Sequence, residues 1–95
     1  MFIRIAEVML VPELADEARR IYTGEAAPRA RRFDGNLGCY MLEPVDANAA
    51  HLACTVWESE QAARAYETSG AAQEVAALIR HTFAAPPRLR SYRKP

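Results

Sequence analysis

The chain has 95 residues, 51% of them apolar, and its 12 basic side chains balance 12 acidic ones. This length suits one domain over residues 1–95, and the apolar content excludes a disordered polypeptide, while zero net charge excludes a field that would attract nucleic acid or an anionic membrane. No apolar run reaches the roughly 18 residues of a membrane span and no signal-peptide pattern is present, so we expect a cytoplasmic protein without membrane partners.

The first third of the chain predicts a strand and a helix. Residues 2–11 are apolar on both alternating faces, which is typical of a central strand covered on both sides. Pro12 then opens a helix at a position where its missing amide has no cost. A later proline, Pro28, predicts a break or a fresh start of that helix. The apolar stripe of the helix consists of Leu14, Ala18 and Ile21.

The middle of the chain predicts a hairpin with strands over 37–43 and 50–58, after a turn at residues 34–36. We expect Glu43 to face Ala50, which would also place Cys39 opposite Cys54 on a face covered by helices. Adjacent-strand cysteines rarely have relaxed disulfide geometry, so we expect reduced thiols. In this register the other face carries Tyr40, Leu42, His51, Ala53, Thr55 and Trp57.

The last third predicts a helix in two parts and a final strand. Ser59 is a favourable N-cap for a helix over 60–68, and the dipeptide at 69–70 interrupts it. A second helix is expected over 71–83, followed by two prolines and an alternating strand over 88–93. The residues expected to point inward are Val75, Leu78, Ile79 and Phe83.

This order of elements predicts an α+β fold of the ferredoxin-like βαββαβ kind, with a four-stranded antiparallel sheet. Right-handed crossovers place the first and third strands in the centre. The helices can cover only one face of the sheet, yet the first strand is apolar on both faces. An uncovered apolar face favours a homodimer.

Two stretches of the sequence resemble the antibiotic biosynthesis monooxygenase family, whose members are dimeric α+β barrels. One is Leu-Gly-Cys-Tyr-Met-Leu at 37–42. The other is Thr-Val-Trp-Glu-Ser-Glu-Gln-Ala at 55–62, followed by Tyr66 and Ser69. The resemblance implies two sheets packed face to face, with a pocket between sheet and helices in each subunit. It also implies oxidation of aromatic polyketides or quinols by dioxygen, with no metal or flavin cofactor; other members degrade haem.

The chain departs from the family patterns at four positions. The polyketide-oxidising type has an asparagine four residues before the tryptophan, where this chain has Ala53. The haem-degrading type has a tryptophan at the place of Tyr66, a histidine at the place of Ala76, and an asparagine in the first strand. A haem-degrading site is therefore disfavoured.

Two residues are candidates for catalysis. Trp57, the single tryptophan, would form a wall for an aromatic substrate and offer its indole N–H as a donor, or else simply pack at an interface. His51, on the same expected face, would act as a general base near neutral pH, or else lie solvated at a strand end.

Four further residues are candidates for substrate contact. Tyr40 and Thr55 would donate hydrogen bonds to a substrate oxygen, although each residue type is common in strands. Tyr66 would pack on the helix face and touch the pocket. Glu7 is unusual on a central strand, and either belongs to the site or pairs with Arg4 or with an arginine of the last strand.

Several classes of function find no support in the sequence. Two histidines and two scattered cysteines do not form a metal-binding pattern. The RNA-recognition motif has the same element order, but its third strand carries aromatics and glycine, whereas this strand reads Leu-Ala-Cys-Thr-Val-Trp at 52–57. We therefore expect a cofactor-independent monooxygenase for a small aromatic molecule, or alternatively a non-catalytic module that binds a small ligand or serves a structural role.

Overall fold

A four-stranded antiparallel sheet forms one layer of the protein, as seen in a computed structural model that describes residues 1–95. Its strands run in the spatial order β2-β3-β1-β4, so β1 and β3 lie in the centre as the sequence predicts. No helix of the structure has the length and apolar character needed to cross a membrane. The strands are β1 (Phe2–Val8), β2 (Asn36–Leu42), β3 (His51–Trp57) and β4 (Arg88–Arg93).

Helices cover one face of this sheet, which confirms the ferredoxin-like fold. Ser59 caps α3 by accepting a hydrogen bond at Oγ from the amide of Ala62 at 3.1 Å. Gly70 separates α3 from α4 with a left-handed φ of 92°. The helices are α1 (Ala15–Ile21), α2 (Ala27–Arg31), α3 (Glu60–Thr68) and α4 (Ala71–Ile79), with 3-10 turns at Pro12–Leu14 and Arg80–Thr82.

The first helical segment has a fresh start at Pro28, one of the two outcomes that the sequence predicts, and no interruption of the helix. Proline has no N–H for the carbonyl four residues earlier, at Gly24. The five residues Tyr22–Ala26 form a π-helical turn, and α2 then begins with Pro28 in its first turn. The wider turn absorbs the missing hydrogen bond, so the segment remains helical to Arg31.

Two elements end earlier than predicted for one shared reason. β1 ends at Val8 instead of residue 11, and α4 ends at Ile79 instead of residue 83. Leu10 and Phe83 form an isolated antiparallel bridge outside the main sheet. Flanking backbone hydrogen bonds, Val11 N to Thr82 O at 2.8 Å and Ala84 N to Met9 O at 2.7 Å, tie the two segments together.

The predicted register of the hairpin is wrong by one residue. Asn36 faces Trp57, as in the predicted register, but a β-bulge between Asn36 and Gly38 shifts every later pair by one. Cys39 therefore faces Thr55, and Tyr40 faces Cys54. Side chains alternate between the two faces of a strand. The slip of one residue therefore exchanges the two faces of β3, so that the residues predicted beneath the helices lie on the uncovered face, here called the open face, and the others lie beneath the helices.

Trp57 accordingly packs beneath the helices, and not on the open face as predicted. His51, Ala53 and Thr55 share its face, since they alternate with it along β3. Tyr40 remains on the open face, as expected, and Leu42 lies beside it. The two cysteines lie on opposite faces of the sheet and both are free thiols.

An aromatic cluster forms the centre of the core. Trp57 is 1% exposed, and its ring centroid lies 4.9 Å from Tyr66 and 6.2 Å from Phe33, the latter edge-on. Phe33 also meets Tyr66 edge-on at 5.2 Å. Each such pair adds about 0.5–1.5 kcal/mol beyond the area it buries, so this cluster fixes α3 against the sheet.

Gly35 joins α2 to β2 at a point where no side chain fits. Its φ is 87°, and an added Cβ would lie 2.5 Å from the Cβ of Ala62 on α3. Gly70 also has a left-handed φ, but an added Cβ there meets nothing within 4 Å. A side chain at either glycine would strain the backbone, but only at Gly35 would it also clash with a neighbouring residue.

We expect Gly35→Ala to lower the free energy of unfolding by about 2–4 kcal/mol, and Gly70→Ala by about 1 kcal/mol. Both substitutions incur the left-handed strain of a non-glycine residue, but only Gly35→Ala also overpacks the contact with α3. Urea unfolding at a fixed protein concentration measures both values. Equal losses in the two variants would contradict the close approach of Gly35 to Ala62.

Candidate ligand-binding site

A cavity of about 400 Å³ lies between the sheet and the helices. Twenty of its 27 lining residues are hydrophobic, so a ligand that fills it must be mostly apolar. Its size falls in the range of small-molecule sites. The strands supply its floor through side chains that include Ala6, Val8, Met41, Ala53 and Thr55.

The aromatic end of the cavity contains Trp57, Thr55 and Tyr66. The indole N–H of Trp57 donates a hydrogen bond to Oγ1 of Thr55 at 2.9 Å, so it is not free to bind a ligand as the sequence suggested. The Thr55 hydroxyl accepts this bond and keeps its own hydrogen available for donation. Burial raises the pKa of Tyr66 to about 12, so this phenol is neutral near neutral pH.

An ion pair borders the same end of the cavity. Arg4 on β1 and Glu67 on α3 both line it, and Arg4 Nη2 lies 2.6 Å from Oε1 of Glu67. The other arm of the guanidinium, Nη1, donates to Oγ of Ser91 on β4 at 2.8 Å. Arg4 on β1 is thus bonded to both α3 and β4. The positive charge of Arg4 and the negative charge of Glu67 neutralise each other at this end of the cavity.

His51 lies at the opposite end of the cavity. It faces Val8 at the far end of β1, whereas Trp57 faces Phe2 at the start of that strand. Trp57 follows His51 by six positions along the extended strand, which corresponds to about 20 Å. A ligand can contact both residues only if it is elongated.

Two buried polar groups beside the cavity were not identified from the sequence. The Tyr22 hydroxyl is buried without a hydrogen-bond partner, and burial, with a smaller effect of neighbouring Cys39, raises its pKa. Burial likewise raises the pKa of the Cys39 thiol. Tyr22 and Cys39 both line the cavity, and both are held in protonated form at neutral pH.

Two of the predicted site residues do not line the cavity. Tyr40 lies on the open face of the sheet and is 54% exposed. Glu7 points to the same face and forms an ion pair with Arg90 of β4, which is the structural role that the sequence left open for it. The other four predicted residues line the cavity, with Thr55, Trp57 and Tyr66 at one end and His51 at the other.

Two of the other lining residues could have been identified from their helical spacing in the sequence. Tyr22 lies four residues after Ala18 and four before Ala26, all buried, so helical spacing places it on the inner face. Arg80 follows Ala76 by the same spacing and also lines the cavity. The pairing of Arg4 with Glu67 had no such signal, because it joins distant parts of the chain.

The positions at which the sequence departs from the resembled patterns lie in the cavity wall. Ala53 and Ala76 both line it, as does Tyr66. The wall at Ala53 and Ala76 therefore presents methyl groups. No group of three or more His, Cys, Asp or Glu side chains is arranged to hold a metal ion.

Solved structures share this fold along nearly the whole chain. A protein from Bordetella bronchiseptica, described as a candidate antibiotic biosynthesis monooxygenase, is similar with 21% identity and a TM-score of 0.82, covering 99% of this chain and 96% of its own. A protein of the same description from Deinococcus radiodurans has 17% identity and a TM-score of 0.82, with coverage of 100% and 93%.

A third similar structure is a mutant of MhuD with two manganese protoporphyrin IX molecules bound per active site. It has 21% identity and a TM-score of 0.80, covering 99% of this chain and 94% of its own. No curated protein matches the sequence. At these identities the three structures establish a shared fold.

Membership of a family follows from the sequence itself. The model of the antibiotic biosynthesis monooxygenase family matches residues 1–78, a span that includes the sheet strands β1 to β3 and most of the cavity wall. The fold shared with the solved structures agrees with that match. The chain therefore belongs to the antibiotic biosynthesis monooxygenase family.

Proposed function

We propose that this protein is a cofactor-independent monooxygenase, which oxidises a small aromatic compound of phenolic or quinol-like character with dioxygen. The observation that carries the proposal is the apolar cavity of about 400 Å³ with the rings of Trp57 and Tyr66 at one end. Membership of the family supports the reaction class. An apolar enclosure keeps water away from a reactive carbon anion.

The proposed reaction is written for an anthrone, the keto tautomer of a phenolic ring system, and begins when a base removes a proton from its activated ring CH₂ group. The resulting electron-rich anion transfers electrons to dioxygen, and a carbon–oxygen bond forms to give a hydroperoxide once a proton is added. The hydroperoxide then loses water with the second ring hydrogen. One oxygen atom remains as a carbonyl and the other leaves as water, so no further reductant is needed.

His51 and Thr55 are the polar groups that we assign to this reaction. His51 removes the proton, in the role of general base. The Thr55 hydroxyl, oriented by the N–H of Trp57 at 2.9 Å, donates a hydrogen bond to a substrate oxygen at the other end. His51 and Thr55 are four residues apart on one face of β3, about 13 Å along the strand, so a fused-ring member of this substrate class suits the two roles better than a single ring.

A second candidate function is a non-catalytic module that binds such a ligand. The specific observation in its favour is the apolar character of the wall at Ala53 and Ala76, where the resembled enzymes have polar side chains. Saturable binding without oxygen consumption would distinguish this module from an oxygenase.

We also propose that the protein is a homodimer joined through the open face of its sheet. This face carries Ile3, Ile5 and Val56 without a covering layer, and Leu42 on it is 50% exposed. Ion pairing of Glu7 with Arg90 neutralises the charges in its middle. An apolar face of this kind is stabilised by a second copy of the same surface.

For the oxygenase, we expect oxygen uptake above the spontaneous rate with at least one member of a panel of quinols, anthrones and catechols. Trp57→Phe should lower the uptake, because it removes both the indole wall and the bond that orients Thr55. An oxygen electrode measures the rate, and circular dichroism checks that the variant is folded. Absence of uptake across the panel, with saturable quenching of Trp57 fluorescence, would favour the ligand-binding module.

For the base, we expect His51→Ala to lower turnover by about 10²–10⁴-fold while retaining binding of the ring compound. The matched control is His81→Ala, since His81 is the only other histidine and pairs with Glu17 outside the cavity at 2.5 Å. Unchanged turnover in His51→Ala would remove this residue from the mechanism.

For the dimer, we expect light scattering to give twice the chain mass of 10.6 kDa at micromolar concentration. Ile5→Glu should yield the monomer, because it buries an unpaired charge in the proposed interface. Val45→Glu is the control, as Val45 is fully exposed outside the strands. A mass near 10.6 kDa for the unmodified protein would contradict a stable dimer.

A further inference from the structure

The charged side chains that line the cavity do not cancel. They are Arg4, Glu67 and Arg80. Arg4 and Glu67 neutralise each other across 2.6 Å, whereas Arg80 has no carboxylate within ion-pair distance, as the six ion pairs of the chain all involve other residues. Because Arg80 is an exposed residue, the rim of the cavity carries one positive charge that has no carboxylate partner within the chain.

This charge lies at the end of the cavity that contains His51. Arg80 comes directly after α4 and three residues before Phe83, which bridges to Leu10. Leu10 in turn follows Val8, the residue that faces His51. The Arg4–Glu67 pair, by contrast, lies with Thr55 and Tyr66 at the aromatic end.

Helix geometry directs Arg80 toward the cavity. Gln73, Ala76 and Arg80 all line it and are spaced by three and four residues, so they form one face of α4 and its last turn. A cation at a helix C-terminus is also favoured by the helix dipole. The dipole, however, acts on a cation on any side of the helix, and does not explain why Arg80 borders an apolar cavity.

We propose that the ligand of this cavity is an aromatic carboxylic acid whose carboxylate binds Arg80, with its ring system extending toward Trp57 and Tyr66. A guanidinium presents several N–H donors in a fork that matches a carboxylate. The apolar wall accommodates the ring system and the single unpaired cation selects the acid. This inference rests on the proposed function only in that both require an aromatic ligand in the cavity, and it names the class of that ligand.

The test compares two probes that differ in charge and little in shape, anthraquinone-2-carboxylate and anthraquinone-2-carboxamide. Binding is followed by quenching of the single tryptophan, Trp57, so the readout does not depend on turnover. We expect the carboxylate to bind about three- to fivefold more tightly than the carboxamide at low salt, which is the range of a solvent-exposed ion pair. The preference should decrease with added salt.

Variants of Arg80 assign the preference to this side chain. Arg80→Gln should remove the preference, so that the carboxylate and the carboxamide bind with equal affinity, and Arg80→Lys should retain part of it. The matched control is Arg20→Gln, because Arg20 is an exposed arginine that neither lines the cavity nor forms an ion pair. The Arg20→Gln variant should prefer the carboxylate over the carboxamide by the same factor as the unmodified protein.

Equal affinity for the two probes, or a preference that persists in Arg80→Gln, would overturn the inference. Binding of the carboxamide together with oxygen uptake on a neutral anthrone would leave the proposed oxygenase intact in that case. If neither probe quenches Trp57, the acid-binding inference is rejected as well, whereas the oxygenase is judged separately by its oxygen uptake.

Discussion

The alternation of side chains along β3 is the constraint on which the rest of the structure depends. Each residue of a strand reaches only one face of the sheet. The bulge between Asn36 and Gly38 sets the register in which β2 pairs with β3. In this register Trp57, Thr55 and Ala53 share the helix-covered face with the inward residues of β2. The cavity floor, the aromatic cluster and the open face all follow from that choice.

Small residues on the helices leave the space that the aromatic cluster does not fill. Ala26, Ala27 and Ala30 are each at most 2% exposed and line the cavity. Larger side chains at these positions would close the gap between helix and sheet. The π-helical turn at Tyr22–Ala26 contributes to the arrangement, because the segment continues past Pro28 as helix to Arg31.

The sequence was sufficient for the fold and for part of the site. The order of elements, the central strands, the cap at Ser59 and the interruption at Gly70 follow from local patterns, because each depends on neighbouring residues. The face of Trp57 could not be obtained in this way, since one residue inserted at the bulge inverts it. The structure places the candidate residues Tyr40 and Glu7 outside the cavity lining, and polarity alone does not reveal which face of a strand is enclosed. The partnership of Arg4 with Glu67 required the tertiary structure.

The pairing of β1 with β4 has a consequence for synthesis of the protein. Glu7 and Arg90, which pair across these strands, are 83 residues apart in the chain. During translation β1 is synthesised long before β4. The edge of β1 that pairs with β4 in the folded sheet therefore lacks its hydrogen-bonding partner for most of the synthesis of the chain. Completion of the sheet is thus a late event of biogenesis, and the nascent chain passes through a stage at which this edge is open to other polypeptides.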